Sequence, residues 1–154
     1  MAATKKDTTS QAFDGFTEDE RAAMKEHAKE MKASARRSGS KTAQADAEAD
    51  VLAKIAEMVD SDRVLAERLH AIVKDTAPEL AARTYYGMPA YAKDGKNVVF
   101  FQPASKFKAR YSTLGFNDPA ALDDGEMWPT SYAVTTVTPA VEKKVAALVK
   151  KSVG

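Results

Sequence analysis

The pattern with the clearest chemical potential in this chain is a short run of alternating basic and aromatic residues. Its members are Lys106, Phe107, Lys108, Ala109, Arg110 and Tyr111. On a strand, this alternation places the cations on one face and the aromatic rings on the other. The cations would then form an anion-binding strip for a phosphate or carboxylate group, with Arg110 making a bidentate contact. The alternative is an ordinary half-exposed strand whose solvated bases protect its edge.

The two histidines of the chain, His27 and His70, lie on predicted helices. Histidine is often recruited for acid–base catalysis and for metal binding near neutral pH. A zinc-binding helix needs two ligands four residues apart, and neither histidine has a second histidine or a carboxylate at that position. We therefore interpret both as structural or surface residues and predict no metal ligand.

Acidic residues gather at two places in the sequence. Asp46 and Asp50 are four residues apart with Glu48 between them, so on a helix they share a face and could hold a weakly bound hard cation. Capping and dipole complementarity at a helix start explain the same acids without a metal. The acids of residues 123–126 lack the spaced oxygen ligands of a calcium loop and predict a tight turn.

Three common motifs of catalysis and phosphate binding are absent from the sequence. There is no Gly-x-Ser-x-Gly nucleophile elbow, no phosphate-binding P-loop and no dinucleotide fingerprint. Cysteine is absent as well, which excludes disulfides, thiolate metal sites and a cysteine nucleophile, and fits a reducing cytoplasm. The sequence therefore predicts no catalytic residue.

Composition and charge are those of an ordinary globular domain. A chain of 154 residues is long enough to form one core without metal or disulfide support. Its 44% hydrophobic and 29% charged residues are ordinary for a globular protein. With 23 basic and 22 acidic residues the net charge is +1, which argues against nucleic-acid binding. No apolar run is long enough for a signal peptide or a membrane span. We predict a cytoplasmic protein with no membrane association.

Helix signals open the chain. Thr17 and Glu20 form a capping box at the start of a helix that ends near Arg36 and Arg37. An apolar stripe is predicted to dock this helix onto a larger body. The stripe consists of Met24, Ala28, Met31 and Ala35.

Three further helices are predicted from apolar residues at helical spacing. Their inward-facing residues are Val51, Leu52, Ile55, Met58 and Val59 in the second, Leu65, Leu69, Ile72 and Val73 in the third, and Val141, Val145, Leu148 and Val149 in the last. Asp60–Asp62 supply a turn and a cap between the second and the third, and Pro78 ends the third. The last helix begins with Thr138 as N-cap and Pro139 at its first position, and it turns Lys143, Lys144, Lys150 and Lys151 to water.

The segment before the last helix has the pattern of a sheet. The predicted strands are Tyr86–Ala92, Asn97–Gln102, Phe107–Phe116 and Ser131–Thr136. Asp94-Gly95 favours a two-residue hairpin, and Val98–Phe101 are apolar on both faces, as in a strand that is covered on each side. We predict an α+β fold with helices packed on a small, mainly antiparallel four-stranded sheet, in the order ααα-ββββ-α. Residues 1–15 form a predicted disordered tail, residues 16–44 an N-terminal helix with a hinge at Ser38–Gln44, and residues 45–154 the α+β domain.

A family resemblance rests on the segment Tyr86-Gly87-Met88-Pro89-Ala90-Tyr91, which is followed by the Asp94-Gly95 hairpin and by Val99-Phe100-Phe101. This order and spacing resemble the hallmark of the YdhG-like family of uncharacterised intracellular proteins. The resemblance continues through Lys106-Phe107-Lys108, Arg110-Tyr111, Thr113-Leu114-Gly115-Phe116, Leu122-Asp123-Asp124-Gly125 and Met127-Trp128-Pro129-Thr130. It extends from about Phe16 to the C-terminus and implies a single α+β domain. For some members it implies a role as a frataxin-like iron chaperone, but it assigns no metal ligand, because this chain lacks a dense acidic ridge.

The predicted function is that of a non-catalytic binding module whose ligand is unknown. The expected class of ligand is a small anionic molecule or a protein partner. Tyrosines keep a polar group that seeks a partner, so some are expected to border a pocket beside the basic segment. The candidate residues are Tyr86, Met88, Tyr91, Lys106, Lys108, Arg110 and Trp128. The alternative is an iron-binding carrier, with iron implied by the resemblance alone.

Overall fold

The computed structural model describes residues 17–36 and 41–154 of the chain. Within these residues there are four helices and five strands: α1 Glu18–Arg36, α2 Lys41–Ala56, α3 Asp60–Thr76, β1 Ala81–Tyr85, β2 Met88–Lys93, β3 Lys96–Gln102, β4 Ser112–Phe116, β5 Ser131–Val134 and α4 Pro139–Ser152. The predicted tail and the Ser38–Ser40 part of the predicted hinge lie outside the described residues. Lys41–Gln44 belong to the first turn of α2.

The strands form one antiparallel sheet in which each strand pairs with the next along the chain, in the order β1–β2–β3–β4–β5. The predicted α+β class is confirmed, but the prediction of four strands was wrong for the described residues, because β1 precedes them. Its sequence, Ala-Ala-Arg-Thr-Tyr, has no apolar alternation that would mark a strand. Its pairing with β2 makes it one, for example Ala82 opposite Tyr91 and Thr84 opposite Pro89.

Two hairpin turns have the same backbone geometry. Asp94 (φ 52°) and Gly95 (φ 77°) join β2 to β3, which confirms the predicted hairpin. Tyr86 (φ 50°) and Gly87 (φ 74°) join β1 to β2 in the same way. The predicted strand start at Tyr86 was therefore wrong by two positions, because left-handed backbone at both residues forms a type I′ turn.

The segment from Pro103 to Tyr111 is a loop and not part of a strand, since β4 begins only at Ser112. The N–H of Ala109 donates to the carbonyl of Ala104 at 2.9 Å, and Lys108 has φ 52°. The prediction that Lys106, Lys108 and Arg110 share one strand face was therefore wrong. Local backbone hydrogen bonds turn the chain where the alternation indicated extension.

The core lies between α2, α3, α4 and one face of the sheet. On that face the strand residues opposite one another are Ala82, Tyr91, Val99 and Phe116. They pack with helix residues that include Val51, Ile55, Leu69, Val73, Val145 and Val149. No described side chain of α1 belongs to this cluster.

A register shift in β3 corrects the prediction that this strand is covered on both faces. Tyr91 pairs with Val99 and Ala92 with Asn97, so Val98 is an extra residue, and both Val98 and Val99 belong to the core cluster. Phe100 lies half-exposed on the other face. Its ring covers Gly115, where a Cβ atom would overlap it.

The helix ends are set by local chemistry, as predicted in most places. In the α1 capping box, the Glu20 N–H donates to Thr17 Oγ1 and the Thr17 N–H to Glu20 Oε2, both at 3.1 Å. Thr138 caps α4, its Oγ1 accepting from the Val141 N–H at 3.2 Å. The predicted cap by Asp60–Asp62 was wrong, since α3 begins at Asp60 without a side-chain cap. Asp62 is instead buried and faces the 103–111 loop, where its carboxylate accepts from the Ser105 N–H at 3.1 Å.

Candidate functional site

The turn between β1 and β2 is the centre of the candidate site. In a two-residue type I′ turn, the N–H groups of the central residues are not used by the strand ladder. Here these are the N–H groups of Tyr86 and Gly87, two consecutive donors in left-handed backbone. Successive backbone N–H groups of this kind form a concave site for an anion.

The Glu30 carboxylate of α1 occupies this concave site. Its Oε2 accepts from the Tyr86 N–H at 2.8 Å and its Oε1 from the Gly87 N–H at 2.7 Å. Only 14% of the Glu30 side chain is exposed. Hydrogen bonds to an ionised acceptor are short and about twice as strong as neutral ones. The turn is therefore an anion-binding site that holds a glutamate of the same chain.

Two lysines hold a second carboxylate beside the turn. Lys106 Nζ donates to Glu26 Oε2 at 2.9 Å and to the Tyr86 carbonyl at 3.1 Å, and Lys54 pairs with the other oxygen of Glu26. Burial opposes ionisation of Glu26, but the hydrogen bonds from Lys106 and Lys54 outweigh it and hold the pKa of Glu26 below its usual range. Hydrogen bonding to Glu26 in turn raises the pKa of Lys54. Glu26 is thus an ionised carboxylate at neutral pH.

His27 adds ring contacts to the same turn. Its imidazole stacks on the Tyr86 ring with a centroid separation of 4.1 Å and an interplanar angle of 13°. It also meets the edge of the Tyr85 ring at 5.6 Å. Its Nδ1 is 3.6 Å from Glu30 Oε2, which is too far for a hydrogen bond. α1 therefore contacts the turn through one flat ring and two carboxylates.

Gly87 allows this close approach. A Cβ atom at this position would overlap Lys106 Nζ and the Glu26 carboxylate. Its φ of 74° independently disfavours any other residue type. The glycine is thus required both by the turn and by the charged groups that pack against it.

The docking face of α1 is acidic. Three acids recur along one stripe of the helix and each meets a group of the body formed by residues 41–154. They are Asp19, which is 3.2 Å from Lys108 Nζ, Glu26 and Glu30. Ala23 lies on the same stripe and is buried.

The apolar stripe of α1 faces away from the body, so the prediction that it docks the helix was wrong. Met24 is 41% exposed and Met31 62% exposed, and Ala28 is exposed as well. The side chain of Ala35 lies outside the described residues. The physical reason is that the body offers lysines and free N–H groups at this place, and methionines would leave those groups unpaired.

The structure brings two of the predicted site residues together at the turn, Tyr86 and Lys106, through the hydrogen bond to the Tyr86 carbonyl. Met88 and Tyr91 are buried in β2. Lys108 is 81% exposed and faces Asp19. The remaining two lie apart from the turn contacts: exposed Arg110 lies over the Tyr111 ring at 5.4 Å, and half-buried Trp128 packs against the core cluster.

Three groups of the site, Glu26, Glu30 and Lys54, were not identified from the sequence. Glu26 and Glu30 are four residues apart and therefore share a helix face. This spacing was the signal from which an acidic docking face could have been predicted. The apolar stripe on the neighbouring face was predicted to dock the helix instead. Nothing local marks Lys54, since only tertiary packing places α2 beside α1.

A partly buried polar network joins α2, α3 and β2 at a separate place. Tyr91 Oη is 2.8 Å from His70 Nδ1, and His70 Nε2 is 3.2 Å from Glu48 Oε1. Lys74 Nζ donates to Glu48 at 3.2 Å. Burial lowers the pKa of His70 and raises that of Tyr91. Lys74 and His70 hold the pKa of Glu48 below its usual range although burial opposes this.

The acids considered as cation ligands are only partly available. Glu48 is engaged by Lys74 and His70, whereas Asp46 is exposed. Among residues 17–36 and 41–154, no group of three or more histidine, aspartate or glutamate side chains is arranged to hold a metal ion.

Comparison of the chain with protein-family models, with curated proteins and with solved structures found no match. The resemblance to the YdhG-like family therefore stays a prediction. In the part of the chain that the structure describes, no helix has both the length and the apolar character needed to cross a membrane.

Proposed function

We propose that this protein is a non-catalytic binding module whose ligand presents a carboxylate or phosphate group to the β1–β2 turn. The observation that carries the proposal is the bidentate capture of Glu30 by the consecutive N–H groups of Tyr86 and Gly87. Lys106 and Lys54 add positive charge beside this pair. The same donors would bind an external anion in place of the chain's own carboxylate.

The chemistry of the turn favours an anion over other ligand classes. The groups that face Glu26 and Glu30 are backbone N–H donors and ammonium groups, which have no lone pair to offer a metal. Gly87 keeps the surface open for close approach. Half-buried lysines in a concave site interact with an anion more strongly than solvated lysines do.

The Glu48–His70–Tyr91 network supports a non-catalytic function. Its order of carboxylate, imidazole and hydroxyl is that of a catalytic relay, but Tyr91 is only 2% exposed. Burial also raises the pKa of the Tyr91 hydroxyl, so this group keeps its proton at neutral pH. A substrate would have no access to this hydroxyl, and the network is better explained as supplying a hydrogen-bond partner to the buried Tyr91.

No observation favours the iron-carrier alternative. That alternative would use Asp46, Glu48 and Asp50, and an incoming cation would compete with the Lys74 ammonium for Glu48. The anion proposal rests on donors that already hold carboxylates. We therefore propose the anion site alone.

The test is an NMR titration of the full chain with Glu26→Ala and Glu30→Ala, which empties the two carboxylate positions and keeps good helix formers in α1. Inorganic phosphate and succinate are the probes. The expected result is a saturable shift of the Tyr86 and Gly87 amide signals.

The matched control is Glu67→Ala with Glu79→Ala, which changes the net charge equally at exposed positions away from the turn. In this control Glu30 still occupies the N–H groups, so we expect binding to be at least tenfold weaker, because a competing charged hydrogen-bond pair is worth about 1.5–3 kcal/mol. Equal affinities in both variants, or no saturable shift in either, would refute the proposal.

A further inference from the structure

We infer that the surface beneath α1 is a receptor for an acidic helix supplied by another polypeptide chain, with two glutamates four residues apart, and that α1 is its resident competitor. This inference rests on the proposed anion site and extends it from a single anionic group to a helical partner. The defining receptor groups are the Tyr86 and Gly87 N–H donors and the Lys54–Lys106 pair.

The spacing of the two anion positions matches a helix. Glu26 and Glu30 lie one turn apart on one helix face, about 6 Å along the axis. The first enters the lysine pair and the second enters the turn. A helix with a Glu-x-x-x-Glu pattern therefore satisfies both positions at once, whereas a small anion satisfies one.

Two further contacts favour a helix over an extended peptide. His27, directly after the first glutamate, stacks on the Tyr86 ring. Asp19, seven residues before the first glutamate, reaches Lys108 at 3.2 Å. On a helix Asp19, Glu26 and Glu30 share one stripe about 16 Å long, and His27 borders it one position further round.

The contacts that hold α1 on the body would allow another helix to replace it. Its described side chains are absent from the hydrophobic core cluster. Ala23 is its buried apolar residue, while Met24 and Met31 are exposed. Ion pairs and hydrogen bonds at a partly exposed surface have smaller net energies than buried apolar area, and salt screens them. A partner helix with the same acids can therefore replace α1 without disturbing the core.

The experiment adds a synthetic peptide of residues 17–36 to the full chain that carries Glu26→Ala and Glu30→Ala. Binding is followed by anisotropy of the labelled peptide and by the amide signals of Tyr86 and Gly87. We expect saturable binding that moves both signals. A peptide with Glu26→Gln and Glu30→Gln is the control, and we expect it to bind at least tenfold more weakly, because it lacks the charged acceptors.

A second variant covers the case in which the alanine-substituted α1 stays docked. Glu26→Lys with Glu30→Lys places like charges against Lys54 and Lys106 and forces α1 off the body. The dispersion of core amide signals tests whether both variants are folded. The receptor inference is supported if the glutamate peptide binds to either variant and the glutamine peptide does not.

The two proposals fail in different ways. If phosphate or succinate shifts the Tyr86 and Gly87 signals but the peptide binds neither variant, the receptor inference is wrong and the anion site stands. If the glutamine peptide binds as tightly as the glutamate peptide, the inference is wrong as well. If neither small anions nor the peptide bind, both proposals are wrong.

Discussion

Tyr91 and His70 are joined by a hydrogen bond of 2.8 Å between Oη and Nδ1 that links β2 to α3. Ionised Glu48 only accepts hydrogen bonds, so Nε2 of His70 carries the proton and Nδ1 accepts from Tyr91. In this tautomer a neutral imidazole satisfies both of its neighbours. Protonation of His70 would turn Nδ1 into a donor, so the Tyr91 hydroxyl could no longer donate to it.

Removal of the Tyr91 hydroxyl is expected to destabilise the protein. Tyr91→Phe leaves the partly buried His70 Nδ1 without its donor, and we expect a loss of about 1–3 kcal/mol in the free energy of unfolding. Urea denaturation measures it. Tyr132→Phe is the control, because Tyr132 packs through its ring on Phe116. Equal losses in both variants would contradict the assigned role of the hydroxyl.

Acid should destabilise the protein through His70. Burial lowers the pKa of His70, so below the ordinary imidazole pKa of about 6.5 the unfolded chain binds more protons than the folded one. Stability is therefore fully present above that pH and is lost as the pH falls through the folded pKa. The lowered pKa of Glu48 adds a further loss below its ordinary value. Denaturation between about pH 8 and about pH 5 measures the first effect.

His70→Asn is the control for this pH dependence. It removes one titrating group near Glu48, Lys74 and Tyr91, and retains His27. We expect the variant to be less stable at neutral pH and to have a flatter profile from about pH 6.5 downward. An unchanged slope would mean that His70 is not responsible.

Gly87→Ala should be more harmful than the same change at the second hairpin. Both Gly87 (φ 74°) and Gly95 (φ 77°) have left-handed backbone, for which alanine costs on the order of 1–2 kcal/mol. A Cβ atom at Gly95 meets nothing within 4 Å, whereas at Gly87 it overlaps Lys106 and Glu26. Gly95→Ala thus reports backbone strain alone. Thermal unfolding of both variants tests the difference, and equal losses would show that the charged groups move aside freely.

Asp62 is expected to position the loop that carries Lys106. It accepts from the Ser105 N–H at 3.1 Å and lies 3.5 Å from Ser112 Oγ. Asp62→Ala should lower the free energy of unfolding by about 1.5–3 kcal/mol and speed amide exchange at Ser105, because the Ser105 N–H loses a charged acceptor. Asp62→Asn retains an oxygen acceptor and should cost less. The idea fails if alanine leaves exchange at Ser105 unchanged.

α1 should open before the rest of the protein. Hydrogen–deuterium exchange is expected to be faster in α1 than in α3. Added salt should accelerate exchange in α1 but not in α3, because ion pairs hold α1 on the body whereas buried apolar side chains hold α3. Glu26→Gln should mimic the effect of salt. Protection of α1 equal to that of α3 at high salt would contradict electrostatic docking.

The sequence by itself determined the parts of this protein that depend on neighbouring residues. Thr17 with Glu20, Thr138 with Pro139, and Asp94 with Gly95 each form a local structure whose donors, acceptors and backbone angles lie within a few positions. Local chemistry of this kind is almost independent of the remaining fold. The α+β class follows, because the change from helical spacing to a hairpin is visible along the chain.

Tertiary structure alone decided where the alternating bases lie and which face of α1 docks. Asp62, distant in sequence, accepts from the Ser105 N–H and fixes the loop that carries Lys106 against α3. β1 became a strand only by pairing with β2. Glu30 met Tyr86 and Gly87 across more than fifty residues of sequence. Charges and free N–H groups that meet across the fold have no periodic signature, so the candidate site became visible only with the chain folded.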